Sequence, residues 1–425
     1  MDLATYATAL ATHARAAGLK LAAVPAEQRS AAIRALAKLL RERSSQVVEA
    51  NKQDIAAAEA SRLATPMVKR LMLDEKKVEA MARAVDDIAS QSDPIGQVID
   101  QHTRKDGLLI QKRRVPIGSV LFVYESRPNV TTDAAALCLR SGNAVILRGG
   151  KEAIHTNRVV AQIIADALKT TGLDPSSAQV VDQTDRALLP MLLEKDGLID
   201  VVIPRGGHSL IRAVVDAATM PVLKHFDGNC HLYIDCAAPD VKKVVDVIVN
   251  AKTSYAGAAV CNAVEHLLFH RDSAKALLMP VITALKEKGV EVRCDAATKS
   301  LVGRDLSTTL VDAKDDDWTT EYLAFIVGIK VVESIEEAID HVNRYGSHHT
   351  DGILSTDKAA CEQFVTRVDS ASVMVNASTR LADGGEYGLG AEIGISTDKL
   401  HARGPMGAAD MCTYKWVVTG DGHLR

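Results

Sequence analysis

The feature that most constrains this chain is a rhythm beginning near Gly107, in which short apolar runs alternate with longer stretches of helical periodicity. Ser119-Val120-Leu121-Phe122-Val123-Tyr124, Ala144-Val145-Ile146-Leu147, Gln179-Val180-Val181 and Asp200-Val201-Val202-Ile203 read as strands. Helices run between them, one through Leu139 and another carrying Val160, Ile163, Ile164 and Leu168. This order predicts a mostly parallel, doubly wound sheet that binds its ligands beyond the carboxyl ends of its strands. A second alternating region runs to about residue 376, with helices near 274–288, 335–345 and 359–368 and strands near 291–293, 329–332 and 372–375. It predicts a second α/β domain. Residues 1 to about 90 read as helical, with Ile33, Leu36, Leu40 and Val47 in one stripe behind Pro25. Val78, Met81 and Val85 form another stripe, ending at Ser92-Asp93-Pro94. Leu108 to Val115 reads as a further strand, and the tail from Met411 to Val418 is strand-like and could pair with another subunit.

At 425 residues the chain exceeds one ordinary core, so two or three domains are expected. A net charge of −4 argues against nucleic acid or an anionic membrane as partner, and no apolar run reaches the ~18 residues of a membrane span. The seven cysteines form no CxxC pair and no disulfide framework. The first residues lack a basic leader and read as a helix, so a cytoplasmic location is expected.

Chemistry is concentrated in a few places. In Lys252-Thr-Ser-Tyr-Ala-Gly-Ala-Ala-Val-Cys-Asn-Ala263 a run of small residues precedes Cys261, where backbone, cofactor and substrate could approach closely. A thiolate there would attack a carbonyl carbon, given donors for the oxyanion; equally, Cys261 reads as a small buried core residue. Arg148-Gly149-Gly150-Lys151 and Arg205-Gly206-Gly207 each join a strand to a helix. Such glycines serve as ordinary turn residues or expose N–H groups to phosphate, and two basic copies in one sheet favour a phosphate-bearing ligand. Glu321 reads as a surface charge or as a partner for ribose hydroxyls. Residues 376–404 hold Gly384, Gly385, Gly388, Gly390 and Gly394 together with Arg380, Glu392, Lys399, His401 and Arg403. That stretch is either a functional loop suited to an anionic substrate or a mobile lid with incidental charges. His225, Cys230, His231 and Cys236 match no standard zinc spacing, and no metal is expected.

In this order the motifs resemble the aldehyde dehydrogenase superfamily over nearly the whole chain, and within it the branch that reduces γ-glutamyl phosphate. The most specific parts are VPIGSVLFVYESRPNVTTDAAALCLRSGNAVILRGGKEA, DVVIPRGG, HFDGNCH, the Cys261-Asn262-Ala263 stretch and GLGAEIGISTDKLHARGPMG. The resemblance implies an NADP-binding domain (1–105 and 119–228), a catalytic domain (229–406) and an oligomerisation flap (106–118 and 407–425). Cys261 maps onto the nucleophile and Glu321 onto a ribose-contacting glutamate. Asn129 is the implied side-chain donor to the oxyanion. Arg148, Gly149, Gly150, Lys151, Arg205, Gly206 and Gly207 are the expected cofactor contacts. Arg380, Lys399, His401 and Arg403 are expected to hold the phosphate and carboxylate of L-glutamyl 5-phosphate.

Two departures from hydrolytic relatives carry meaning. Those enzymes keep a glutamate before a glycine pair to activate water, whereas this chain reads His225-Phe226-Asp227-Gly228. Their Lys-Pro-Ser-Glu stretch appears here as Arg148-Gly149-Gly150-Lys151, exchanging a carboxylate for a cation and favouring NADPH. The implied reaction is NADPH-dependent reduction through a Cys261 thioester to L-glutamate 5-semialdehyde in proline biosynthesis. It would take place in a homo-oligomer that could receive its labile substrate from glutamate 5-kinase. A CoA-acylating aldehyde dehydrogenase and a catalytically silent relative are the competing readings.

Overall fold

A computed structural model describes residues 2–125 and 127–425, so Ser126 of the expected Glu125–Thr131 loop lies outside the described residues. The chain divides into two compact units, one of residues 1–224, 388–394 and 399–425 and one of residues 225–387 and 395–398.

The first unit is built on a parallel sheet in the order Ala178–Val180, Ala144–Arg148, Ser119–Tyr124, Val201–Arg205. Every residue of Ser119–Tyr124 is buried, as expected of a central strand covered on both sides. Successive side chains point to opposite faces. Val120, Phe122 and Tyr124 enter one core with Ile33, Leu36, Leu40, Val85, Val160 and Ile163. Leu121 and Val123 enter another with Ala7, Leu10, Ala11 and Ala14 of helix Leu3–Leu21. The stripe expected as one helix behind Pro25 breaks at Arg43, where the backbone turns to φ −110°, ψ 21° between Ala26–Glu42 and Ser44–Ala60. Val47 therefore belongs to the second helix, and the Arg43 guanidinium at the break binds Asp166 at 2.6 Å.

Strand Leu109–Pro116 pairs antiparallel with Cys412–Thr419 on one side and with Val98–Thr103 on the other. The last of these is missing from the sequence reading, because all six of its residues are exposed and show no apolar alternation. Residues 388–394 and 399–406, expected in the catalytic domain, cluster with the first unit, where Ile393, Ala402 and Met406 enter its core. The boundary falls after Lys224 instead of after Gly228.

The second unit holds a seven-stranded parallel sheet in the order Val311–Asp312, Glu291–Cys294, Ile326–Val332, Val264–His270, Cys230–Ile234, Thr350–Leu354, Ser372–Val375. Helices Val241–Thr253 and Arg271–Glu287 pack on one face around Leu232, Leu267 and Ile329. Helices Ile335–Tyr345 and Lys358–Arg367 pack on the other around Tyr233, Leu268 and Phe364. In this unit the imidazole of His231 lies 5.0 Å from that of His266 and 5.5 Å from that of His341, with Trp318 against the last two.

These histidines couple the fold to pH. Burial pushes His266 well below its ordinary value of 6.5 and His341 down to about 3. The unfolded chain therefore takes up protons below pH 6.5 that the folded chain refuses, and stability is lost as pH falls through that range. Each such histidine should remove about 1.4 kcal/mol per pH unit below 6.5. In urea unfolding at pH 7, 6 and 5, His341→Phe should show a shallower acid slope than the parent chain by about that amount. Parallel slopes would mean that His341 is protonated in the fold.

Candidate active site

Cys261 lies in the loop that leaves helix Val241–Thr253 and enters strand Val264–His270. Gly257 and Ala258 both adopt left-handed backbone, at φ 72° and 52°. For alanine that conformation costs about 1 kcal/mol, so the surroundings must impose it. Two polar bridges close the loop. Lys252 at its start and Glu265 at its end form a fully buried ion pair of 2.6 Å. Burial pushes the Glu265 carboxyl up and the Lys252 amine down, each opposed by the partner's charge. Arg380 forms the second bridge, with Nη1 donating to Asn262 Oδ1, Nε donating to Ser254 Oγ at 3.3 Å, and its guanidinium 5.6 Å from the Tyr255 ring centre. Asn262 Nδ2 in turn donates to the carbonyl oxygen of Ala382 at 2.9 Å.

The Cys261 backbone is clasped from a neighbouring strand. A Cβ at Gly228 would overlap the Cys261 carbonyl oxygen and sit 2.5 Å from its carbonyl carbon and Cα, so only glycine fits. Cys230 Sγ donates to the same carbonyl at 3.2 Å. The Gly228 N–H donates to Glu321 Oε1 at 2.8 Å, and burial holds the Glu321 carboxyl above its ordinary range. Glu321, expected to contact ribose, thus lies one residue from the Cys261 backbone through Gly228.

Two imidazoles join the cysteine: His349, which the sequence reading did not single out, and His225, which it weighed only for zinc and did not place beside Cys261. A nitrogen of His225, a nitrogen of His349 and Cys261 Sγ all lie within 4.8 Å of one another. The Ile395 carbonyl accepts a hydrogen bond from His225 Nδ1 at 2.9 Å, which leaves Nε2 of the neutral ring as the basic nitrogen. His349 is buried, and its Nδ1 is 2.9 Å from Thr350 Oγ1. Topology explains the convergence: Glu321, Cys261, His225 with Gly228, and His349 each precede one of four adjacent parallel strands. Cys261 is therefore at the amino-terminal edge of its sheet, opposite to the edge favoured by the strand–helix rule. Cys236 is exposed, and His231 is fully buried against Asp351 at 3.1 Å, so the four residues weighed for zinc form no common set.

The remaining expected residues lie in the first unit, except Arg380. Arg148 ends strand Ala144–Arg148, and Gly149, Gly150 and Lys151 lead into helix Ile154–Thr170 through a single tight turn. A Cβ at Gly149 would meet Asn157 Nδ2 at 2.5 Å and the Tyr124 ring at 3.1 Å. Gly149 thus lies on a buried network in which Thr131 bonds both Tyr124 and Asn157. Burial pushes the Arg148 guanidinium down, Glu152 opposes this, Arg186 adds repulsion, and Lys151 is exposed. At the second turn Glu125 Oε1 accepts the Gly207 N–H at 2.9 Å and fills the space beside Gly206. A carboxylate on that amide disfavours a phosphate there, so the turn at Arg148–Lys151 is the better anion cradle. Arg205 faces Glu392 at 3.7 Å. Asn129 donates its amide to Asp133, whose carboxyl burial pushes up to about 6. Lys399, His401 and Arg403 follow the second unit's last segment, with His401 Nε2 3.2 Å from the Asp410 carbonyl oxygen.

The family model described as the aldehyde dehydrogenase family matches residues 3–303. A gamma-glutamyl phosphate reductase of Sulfurihydrogenibium sp. is 43% identical over 428 residues, covering 100% of this chain and 95% of the relative. A crystal structure of gamma-glutamyl phosphate reductase from Thermotoga maritima is 42% identical, covers 99% of each chain and superposes with a TM-score of 0.94. An acetylating aldehyde dehydrogenase from Geobacillus thermoglucosidasius shares the fold at 16% identity and a TM-score of 0.68, over 100% of this chain and 98% of that one.

The clasp can be tested by one methyl group. Gly228→Ala forces the Cys261 backbone to move and should lower stability by about 1–3 kcal/mol. Because a displacement of an ångström misaligns a nucleophile, kcat/KM should fall about a hundredfold even where circular dichroism shows the chain folded. Parent-like kinetics in the folded variant would show that the carbonyl position of Cys261 is unimportant.

Proposed function

The chain belongs to the aldehyde dehydrogenase family, and we propose that it reduces L-glutamyl 5-phosphate to L-glutamate 5-semialdehyde and inorganic phosphate, using Cys261 and NADPH. The observation that carries the reading is the loop geometry, in which a cysteine is fixed by its own carbonyl within 4.8 Å of an imidazole nitrogen of His225. His225 Nε2 takes the thiol proton, and the Cys261 thiolate attacks the acyl carbon. The new S–C bond forms as the carbonyl π pair moves onto oxygen; when that pair returns, the C–O bond to phosphate breaks and phosphate leaves with its electrons. The Cys261 N–H makes no hydrogen bond among the described residues, which suits it to hold the oxyanion. A bound nicotinamide nucleotide supplies the hydride that reduces the thioester. The C–S bond then breaks, releasing the aldehyde and restoring the thiolate. This is a step of proline biosynthesis.

Family members use NAD(P), and the cationic turn at Arg148–Lys151 fits a phosphate group. Lys151 makes no ion pair among the described residues and is the group we assign to a 2′-phosphate. Arg380, Lys399, His401 and Arg403 remain our candidates for the substrate's anionic groups. Arg380 already serves the Cys261 loop. Strand Cys412–Thr419 is an edge strand that exposes Tyr414, Trp416 and Val418, which supports its use as a contact between copies of the chain. No helix among the described residues is long and apolar enough to cross a membrane.

Run in reverse, the reaction needs phosphate. Semialdehyde and NADP without phosphate or arsenate should yield one burst of NADPH per active site and then stall, because no glutamate precedes Gly228 to activate water. Steady turnover to glutamate would make this a hydrolytic enzyme, with His225 or Asp227 as the base. Cys261→Ala should lose at least about a thousandfold in rate in either direction.

Cofactor choice has its own check. Lys151→Glu should weaken NADPH at least about tenfold while leaving NADH nearly unchanged, since only NADPH carries the 2′-phosphate. Equal losses in titrations of both would place Lys151 away from that group.

A further inference from the structure

We propose that Cys261, His225 and His349 form a binding site for Zn2+ and similarly thiophilic divalent cations, and that occupation reversibly silences the enzyme. The spacing of His and Cys along the chain contains no hint of such a site, because its ligands come from three separate strand entries. The three donor atoms lie within 4.8 Å of one another. A tetrahedral zinc with one sulfur and two nitrogen ligands needs them about 3.5 Å apart. The bound covers all three pairs, so binding requires the thiol and the imidazoles to close by up to about 1.3 Å.

Their anchoring is of the kind that ligand histidines have. His225 Nδ1 is committed to the Ile395 carbonyl, which fixes the tautomer and leaves Nε2 with its lone pair. His349 Nδ1 is 2.9 Å from the Thr350 hydroxyl, which can donate or accept and so satisfies either tautomer. The rings stand edge to face with centres 5.4 Å apart. One thiolate and two imidazoles are the donors that borderline-soft ions prefer, whereas Mg2+ and Ca2+ require oxygen ligands. Binding exchanges the Cys261 thiol proton for the metal, forming a metal–sulfur bond with no change in oxidation state. Three protein ligands leave the fourth position to water.

Silencing rests on the reading of Cys261 as the nucleophile; binding does not. The test is a titration of the metal-free full chain with Co2+, followed by absorption, with Zn2+ as competitor. One Co2+ per chain should bind with a thiolate-to-cobalt charge-transfer band that Zn2+ abolishes and Mg2+ leaves intact. Cys261→Ala should lose the band, and His349→Ala should weaken binding about a hundredfold, one ligand's share of such a site. Circular dichroism reports whether each variant is folded. In the unmodified chain, Zn2+ should also slow alkylation of Cys261 by iodoacetamide at least about tenfold, read by peptide mapping and reversed by EDTA. A band that survives in Cys261→Ala, or alkylation indifferent to Zn2+, would overturn the site. Metal binding as described, together with full activity of Cys261→Ala, would leave the site standing and refute the catalytic reading instead.

Discussion

The loop that carries Cys261 depends on a buried ion pair. Lys252 and Glu265 bracket it, and neither exposes any of its side chain, so each charge is tolerable only because the other is 2.6 Å away. Closing the loop at its base lets a strained interior exist: Gly257 and Ala258 stay left-handed because the chain between the two charges has nowhere else to go. Arg380 repeats the device nearer the tip, tying Ser254 to Asn262. The guanidinium expected to meet substrate thus holds Asn262, the neighbour of Cys261.

Around this loop, the parallel sheet does the gathering. Four adjacent strands each bring the residue that precedes them to the same edge, so a glutamate, a cysteine, a histidine with its glycine, and a second histidine converge from positions up to 124 residues apart, between His225 and His349. Their mutual support is through the backbone. Gly228 touches Cys261 with its main chain, receives Glu321 on its N–H, and leaves no volume for a side chain. A site assembled in this way tolerates little movement of any one strand, which suits the proposed attack of the Cys261 thiolate on the face of an acyl carbonyl.

The first unit shows how neighbours qualify a motif. Two glycine turns of similar sequence end parallel strands, yet Glu125 occupies the amide of one while the other carries Arg148 and Lys151, with Glu152 next to them. Glycine at 149 is explained by Asn157 and Tyr124 beneath it as much as by any ligand above it.

Much of this was written in the linear order of residues. Continuous apolar runs such as Ser119–Tyr124 mark strands buried on both faces, and their alternation with helices leaves a doubly wound parallel sheet as the economical solution. The small-residue approach to Cys261 and the basic turn at Arg148–Lys151 were legible for the same reason, since local chemistry and local conformation coincide there. Strand Val98–Thr103 was not legible, because an exposed strand shows no apolar period. Neither were His225 and His349, whose meaning depends on which strands lie side by side. Strand order arises from the packing of whole helices and is invisible to any local window. It placed Cys261 at the amino-terminal edge of its sheet and put two imidazoles beside its sulfur.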